Sequence, residues 1–182
     1  MAYNSPPAST TTYGVVKVGN GLAASNGVVS FGPAFYGKFS DSTTQLNPVI
    51  NTANSITFNT SAGANGVSIV AGSQITFANP GVYQIILNGL LFKSDAGNDN
   101  VSIWLSQNGV NVPNTCVEIV LVGTTNSGFR SAAFIATTVA ANEFVQIQWS
   151  SPDILMSFLA TPAQVAPTRP AAPSVRIIVS QL

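Results

Sequence analysis

The chain has no histidine, a single cysteine, and charged side chains at only 7% of its 182 positions. Each absence removes a class of function. Without histidine the usual general base, the Ser-His-Asp arrangement and most zinc sites are gone. One cysteine, Cys116, excludes an intrachain disulfide, and with no histidine to activate it a nucleophilic role is disfavoured. Its apolar setting, TCVEIVLV, predicts a buried thiol. Six basic and six acidic residues balance to a formal net charge of zero, so nothing calls for nucleic acid or an anionic membrane surface. No apolar run reaches the roughly 18 residues of a membrane-spanning helix. The start, MAYNSPPASTTT, has neither the basic region nor the apolar stretch of an export signal, which predicts synthesis in a cytosol. There is no phosphate-cradling G-x-x-x-x-G-K and no dinucleotide fingerprint.

The carboxylates are scattered at Asp41, Asp95, Asp99, Glu118, Glu143 and Asp153. A glycosidase pair needs two facing across a sugar. Only Asp95 and Asp99 are close in sequence, in the loop Ser94 to Asn100. That loop has calcium-type oxygen ligands but lacks the spacing of a known calcium loop, so a solvated hairpin is the alternative reading. No cofactor is expected and the chain does not read as an enzyme. Charge at about a quarter of the usual density makes a poorly soluble lone globule. The economical expectation is that much of the surface is covered by copies of the chain or by a larger assembly.

What is present is the vocabulary of an all-β protein: β-branched residues, Ser, Asn and Gly, with turn signals at short intervals. The stretch from Ile75 to Gly109, ITFANPGVYQIILNGLLFKSDAGNDNVSIWLSQNG, organises the rest. Pro80-Gly81 signals a turn in which glycine accommodates a positive φ if one is needed. A long apolar strand follows over Val82 to Phe92. A second, Val101 to Ser106, ends at Asn108-Gly109, the strongest short hairpin signal in the chain. In the first strand Tyr83, Ile85 and Leu87 share one face and Gln84, Ile86 and Asn88 the other. Both faces carry large groups.

Further strands are predicted over Phe35 to Phe39, Ser55 to Asn59 (Ile56 and Phe58 inward), Val67 to Val70 and Ser73 to Ala78. More follow over Val117 to Val122, Phe129 to Val139, Phe144 to Ser150, Ile154 to Leu159 and Val175 to Leu182. Val145, Ile147 and Trp149 form a core face. Ala140 to Glu143 is a tight turn. Ala160 to Ser174 is a proline-rich loop that cannot be helical and is long enough to be a binding element. Trp104 lies opposite Val101, Ile103 and Leu105. It is either a sugar-stacking platform or a ring packed under a neighbouring loop or subunit. Asn59-Thr60-Ser61 and Asn100-Val101-Ser102 match glycosylation sequons, read as chance matches without an export signal.

Phe77, the Pro80-Gly81-Val82-Tyr83 run and the following Ile-Ile-Leu resemble the central strand of the C1q/TNF-like trimeric jelly roll. Trp104 to Gly109 suits that family's next hairpin. The resemblance covers about residues 35 to 182 and implies a homotrimeric jelly-roll sandwich. Upstream, VKVGNGLAASNGVVSF is similar to one repeat of a viral or phage fibre shaft, in which three chains wind into a triple β-spiral. An ordinary β-hairpin is the other reading of those residues. The expected organisation is an N-terminal arm over residues 1–12, a β stem over 13–33 and a jelly-roll head over 34–182, with Gly32-Pro33 at the boundary.

By parity, the resemblance places Gln84, Ile86, Phe134, Ile178 and Leu182 on the trimer axis, with Ala133, Ile135 and Val139 toward the core. Val16, Val18, Leu22 and Val28 are the expected anchor residues of the stem. A one-residue bulge inverts any such assignment. The implied function is a trimeric virion structural protein, of bacteriophage type. It is a capsid decoration (cement) or head-fibre protein whose arm and stem dock on the major capsid protein or other virion proteins. A tail-fibre tip that binds a host surface glycan or protein is the alternative, and a C1q-like carbohydrate-binding module the second. Self-association is expected throughout, and membrane insertion is not.

Overall fold

In a computed structural model, the described residues are the backbone of Leu22–Ser25 and Val28–Phe31 and the whole of residues 34–182. The chain forms two compact units, residues 1–34 and 35–182. In the first, β1 (Leu22–Ser25) and β2 (Val28–Phe31) pair antiparallel, with Leu22 opposite Phe31 and Ser25 opposite Val28. This is the hairpin alternative at the level of one chain. The expected anchors Val16 and Val18 and the arm over residues 1–12 lie outside the described residues, as do the side chains of Leu22 and Val28.

The second unit contains no helix among the described residues. Its main strands are β3 (Tyr36–Asp41), β4 (Thr60–Asn65), β5 (Val67–Val70), β6 (Gln74–Phe77) and β7 (Gly81–Lys93). After these come β8 (Asn98–Gln107), β9 (Val117–Val122), β10 (Asn126–Thr138), β11 (Phe144–Ser150) and β12 (Val175–Gln181). They make two seven-stranded sheets. The first runs β4-β3-β12-β7-β10, and the short strands Met156–Phe158 and Gln45–Leu46 extend it beside the end of β7. The second runs β5-β6-β11-β8-β9, with Asn54–Ser55 and Val110–Asn111 along its margins. The chain crosses repeatedly from one sheet to the other, the arrangement of a jelly-roll sandwich.

Period-two alternation sets the core. Along β7 the residues Tyr83, Ile85, Leu87 and Leu91 are fully buried, as are Val101, Ile103 and Leu105 of β8 and Val145, Ile147 and Trp149 of β11. Ile56 and Phe58 are buried as expected. Two aromatic contacts join the sheets. Phe77 meets Tyr83 at 4.2 Å between ring centroids, and Trp149 meets Phe158 edge-on at 5.0 Å. The Tyr83 hydroxyl donates to the Asn79 carbonyl at 2.9 Å, and burial pushes its pKa upward.

Turn chemistry is as read at Asn108-Gly109, where φ is 50° and 82° and a two-residue hairpin closes. At Gly81 the backbone has no positive φ; a β-carbon there would instead collide with the Gln181 side chain. Strand ends differ from the sequence reading in several places; the strand expected over Ser55 to Asn59 is only Asn54–Ser55, and that over Ile154 to Leu159 is Met156–Phe158. β8 starts at Asn98, shortening the acidic loop, and β4 forms over a Ser-Gly-Ala segment whose pattern carries no apolar alternation. Pairing with β3, bulged between Gly37 and Phe39, makes β4 a strand.

Gly89 is a point of close approach within the first sheet. A β-carbon there would lie 2.7 Å from the Phe158 ring and 3.3 Å from the Ser174 carbonyl oxygen, both of them packed structure. Gly89→Val is expected to lose about 1–3 kcal/mol through overpacking. Chemical denaturation checks this; an unchanged midpoint would mean that Phe158 does not hold its place.

Candidate functional site

The cross-strand register assigns each residue of the first sheet to a face. Outward-facing residues form rows across β3, β12, β7 and β10. One row is Tyr36, Ser180, Gln84 and Ile135; the next is Lys38, Ile178, Ile86 and Ala133; the third is Ser40, Arg176, Asn88 and Ser131. Leu90 opposite Phe129 continues the face. At the other end Leu182 donates its backbone N–H to the Val82 carbonyl at 2.9 Å. Much of this surface is apolar and open. Ile178 is 43% exposed, Ile135 52%, Phe129 58% and Leu182 72%.

Gln84, Ile86 and Ile178 therefore stand together on the outward face, and Leu182 lies at its end. Phe134 does not belong there. It is 4% exposed, sits opposite Ile85 and packs in the core, while Ala133 and Ile135 face outward. The segment Ala132–Ala136 carries apolar groups on both parities, so its own sequence does not phase it. The register with β7 does. Val139, also expected in the core, is 81% exposed just past the end of β10.

A second cluster lies at the end of β7. Lys93 continues the buried parity of Tyr83 to Leu91, so its side chain enters the protein and has no exposed surface. Its ammonium contacts the Asp99 carboxylate and donates to the Gly97 carbonyl at 2.7 Å, with Asp95 Oδ1 at 3.6 Å. Gly97, at φ +104°, holds the backbone conformation that presents this oxygen. Carboxylate oxygens of Asp95, Asp99 and Asp153 lie within 4.8 Å of one another. Asp153 also accepts the Leu155 N–H at 2.9 Å.

The expected calcium candidates Asp95 and Asp99 are thus brought together, and the charge they face is Lys93. Burial works against that charge, but the Asp99 hydrogen bond and the Asp95 and Asp99 carboxylates outweigh it and raise the lysine pKa. The arrangement is an ion-pair knot that closes the β7–β8 loop onto the sheet. Sequence reasoning missed Lys93. Its parity with Tyr83 was the available signal.

Trp104 is half-buried and donates its indole N–H to Asn111 at 2.9 Å, under the Val110–Asn111 strand. Cys116 is exposed, contrary to expectation. It precedes the edge strand β9, whose Val117, Val120 and Val122 are also exposed, while Leu121 is buried in the core. Desolvation and the neighbouring Glu118 carboxylate push its thiol pKa upward, away from the reactive thiolate.

No family model and no curated protein matches the chain. Among solved structures, two of murine APRIL, at pH 8.5 and pH 8.0, are similar over 82% of this chain and all of theirs. Identity is 10% in both, with TM-scores of 0.47 and 0.49. The likeness adds nothing to what the strand order already establishes.

Three expectations follow. Phe134→Ala should cost about 3–5 kcal/mol of fold stability, as a buried aromatic truncation. Ile178→Asp should leave unfolding nearly unchanged and alter self-association instead. Denaturation paired with sedimentation separates them, and equal unfolding midpoints would mean that β10 is out of register. For the buried cation, Lys93→Met should lower the denaturation midpoint well below that of Lys38→Met on the open face. Because the folded-state pKa of Lys93 is raised, its stabilisation is fully present below the unfolded lysine value of about 10.4 and is lost as pH rises through the folded value. A wild-type midpoint that falls no further in alkali than that of Lys93→Met would contradict this.

Proposed function

We propose that the chain is a non-enzymatic structural protein of a virus particle. It would act as a homotrimer, the first sheet turned toward the symmetry axis and the N-terminal segment docking on the capsid. The observation that carries the trimer is the outward face of the first sheet. Ile178, Ile135 and Val82 are exposed and Ile86 half-buried on this face of a chain with little charge to keep it soluble. A jelly roll covers one face of each sheet with the other sheet, so a second apolar face needs another chain. A closed cyclic assembly satisfies that need without leaving an open end.

The virion role is supported by the similarity of VKVGNGLAASNGVVSF to a fibre-shaft repeat directly before the jelly roll. The absence of histidine and the raised thiol pKa of Cys116 favour a role through surface rather than chemistry. A second reading, a tip that binds a host glycan or protein, is favoured by one feature. The proline-rich loop carries a small projecting hairpin, Gln164–Val165 against Thr168–Arg169, with Val165 91% exposed.

The fragment from Ala34 to Leu182 is expected to trimerise but to lose attachment to particles lacking the protein. The segment over residues 1–31 should be unfolded alone, since two short strands do not sustain themselves in water. Sedimentation, particle binding and circular dichroism test this. A monomeric head at micromolar concentration would remove the trimer. A head that binds particles as well as the whole chain would remove the N-terminal segment as anchor.

A further inference from the structure

The polar row on the outward face does not fit a purely apolar interface. Ser40, Arg176, Asn88 and Ser131 lie in register across four strands, and Lys38 sits one row away beside Arg176. Here the sheet is hollowed into a trough of about 380 Å³, crossed by Lys38, Ser40, Asn88 and Arg176, with Phe129 at one end and Ala62 at the other. Both cations are exposed and neither takes part in an ion pair among the described residues.

No side-chain carboxylate of the described residues is placed to neutralise them. Asp41 is buried on the opposite face, accepting from Thr43, Thr57 and Asn59. Asp95 and Asp99 hold Lys93. Glu118 accepts from Ser102 on the other sheet, Glu143 from the Val139 N–H, and Asp153 from the Leu155 N–H. None of them lines the trough. Turning this face toward partner copies would desolvate Lys38 and Arg176 and repeat both charges about the axis, a costly arrangement with no counter-ion.

We infer that the trough is a binding site for a small oxyanion, a phosphate or a carboxylate. The guanidinium of Arg176 would be its principal donor, Lys38 a second positive charge, and Asn88 and Ser40 neutral donors. A guanidinium matches the paired oxygens of such an anion, and charge-assisted bonds are the strong ones. Ile178 and Phe129 flank the site and give room for a short apolar body on the anion. The inference deepens the trimer reading, because the anion would offset the repulsion that association otherwise creates.

The test is calorimetric titration of the full chain with sodium phosphate and with sodium citrate, against sodium chloride at matched ionic strength. Sedimentation is run on the same samples. Wild type is expected to bind phosphate saturably, Arg176→Gln to lose at least about tenfold in affinity, and Lys38→Gln to lose less. Glu118→Gln, on the other sheet, should bind as wild type does. A trimer that responds to phosphate no more than to chloride would overturn the site and leave the trimer standing. Arg176→Gln binding as wild type would overturn it equally. A monomer that binds phosphate and loses it in Arg176→Gln would uphold the site and remove the trimer.

Discussion

Strand β7 imposes the constraint on which the rest of the molecule depends. It lies between β12 and β10 in the first sheet and is large on both faces. One face, Tyr83 to Leu91, is sealed by the second sheet. The other, Gln84 to Phe92, is half-buried by its neighbours within a single chain. At about 25 cal/mol per Å² of apolar surface, covering what remains exposed of such a face adds stabilisation that a single chain forgoes. The aromatic contacts, the glycine under Phe158 and the lysine knot all act to fix the orientation of this strand. A one-residue slip would exchange its faces.

The ends of β7 show how that phase is held. At its start, Gly81 packs beneath Gln181 and Tyr83 is anchored to Asn79, so the strand enters with its tyrosine inward. At its end, Lys93 still follows the inward parity, and the loop folds back to supply Asp95, Asp99 and the Gly97 carbonyl. Replacing the lysine by an apolar residue of similar volume would leave those carboxylates facing one another. Removing one partner of a buried pair is costly for that reason, even when the pair itself adds little.

How much of this was legible depended on whether a strand carries its own phase. β8 and β11 alternate cleanly, and their core faces follow from the residues alone; β7 is large on both faces, and the family resemblance, not its own pattern, assigned Tyr83, Ile85 and Leu87 to the core. β12 alternates as well, which places Ile177 inside and Ile178 outside. β10 does not alternate: Ala132 to Ala136 is apolar on both parities, and only its pairing with β7 puts Phe134 inside. Cys116 misled for a related reason. TCVEIVLV looks like a buried run, but β9 is an edge strand, and edge position is a property of sheet order, not of local composition. Lys93 was missed because a lysine before an acidic loop resembles a solvated strand end. The trough depends on residues far apart in sequence, Lys38, Asn88 and Arg176, and no local pattern joins them.

Scarcity of charge gives the few charged groups distinct work. Asp41 organises the turn beside β3 through its hydrogen bonds to Thr43, Thr57 and Asn59. Glu143 receives the N–H groups of Val139 and Ala140 at the β10–β11 turn. Lys93 neutralises part of an acidic cluster. The carboxylates thus hold turns, loops and neighbouring side chains in place, while Lys38 and Arg176 stand without an ion pair on a face of mixed apolar and neutral polar residues. With no net charge to repel its copies, the chain meets no long-range electrostatic barrier to self-association. Apolar burial supplies the attraction and is not screened by salt. In the proposed trimer, what would oppose close approach is local, the desolvation of those two cations.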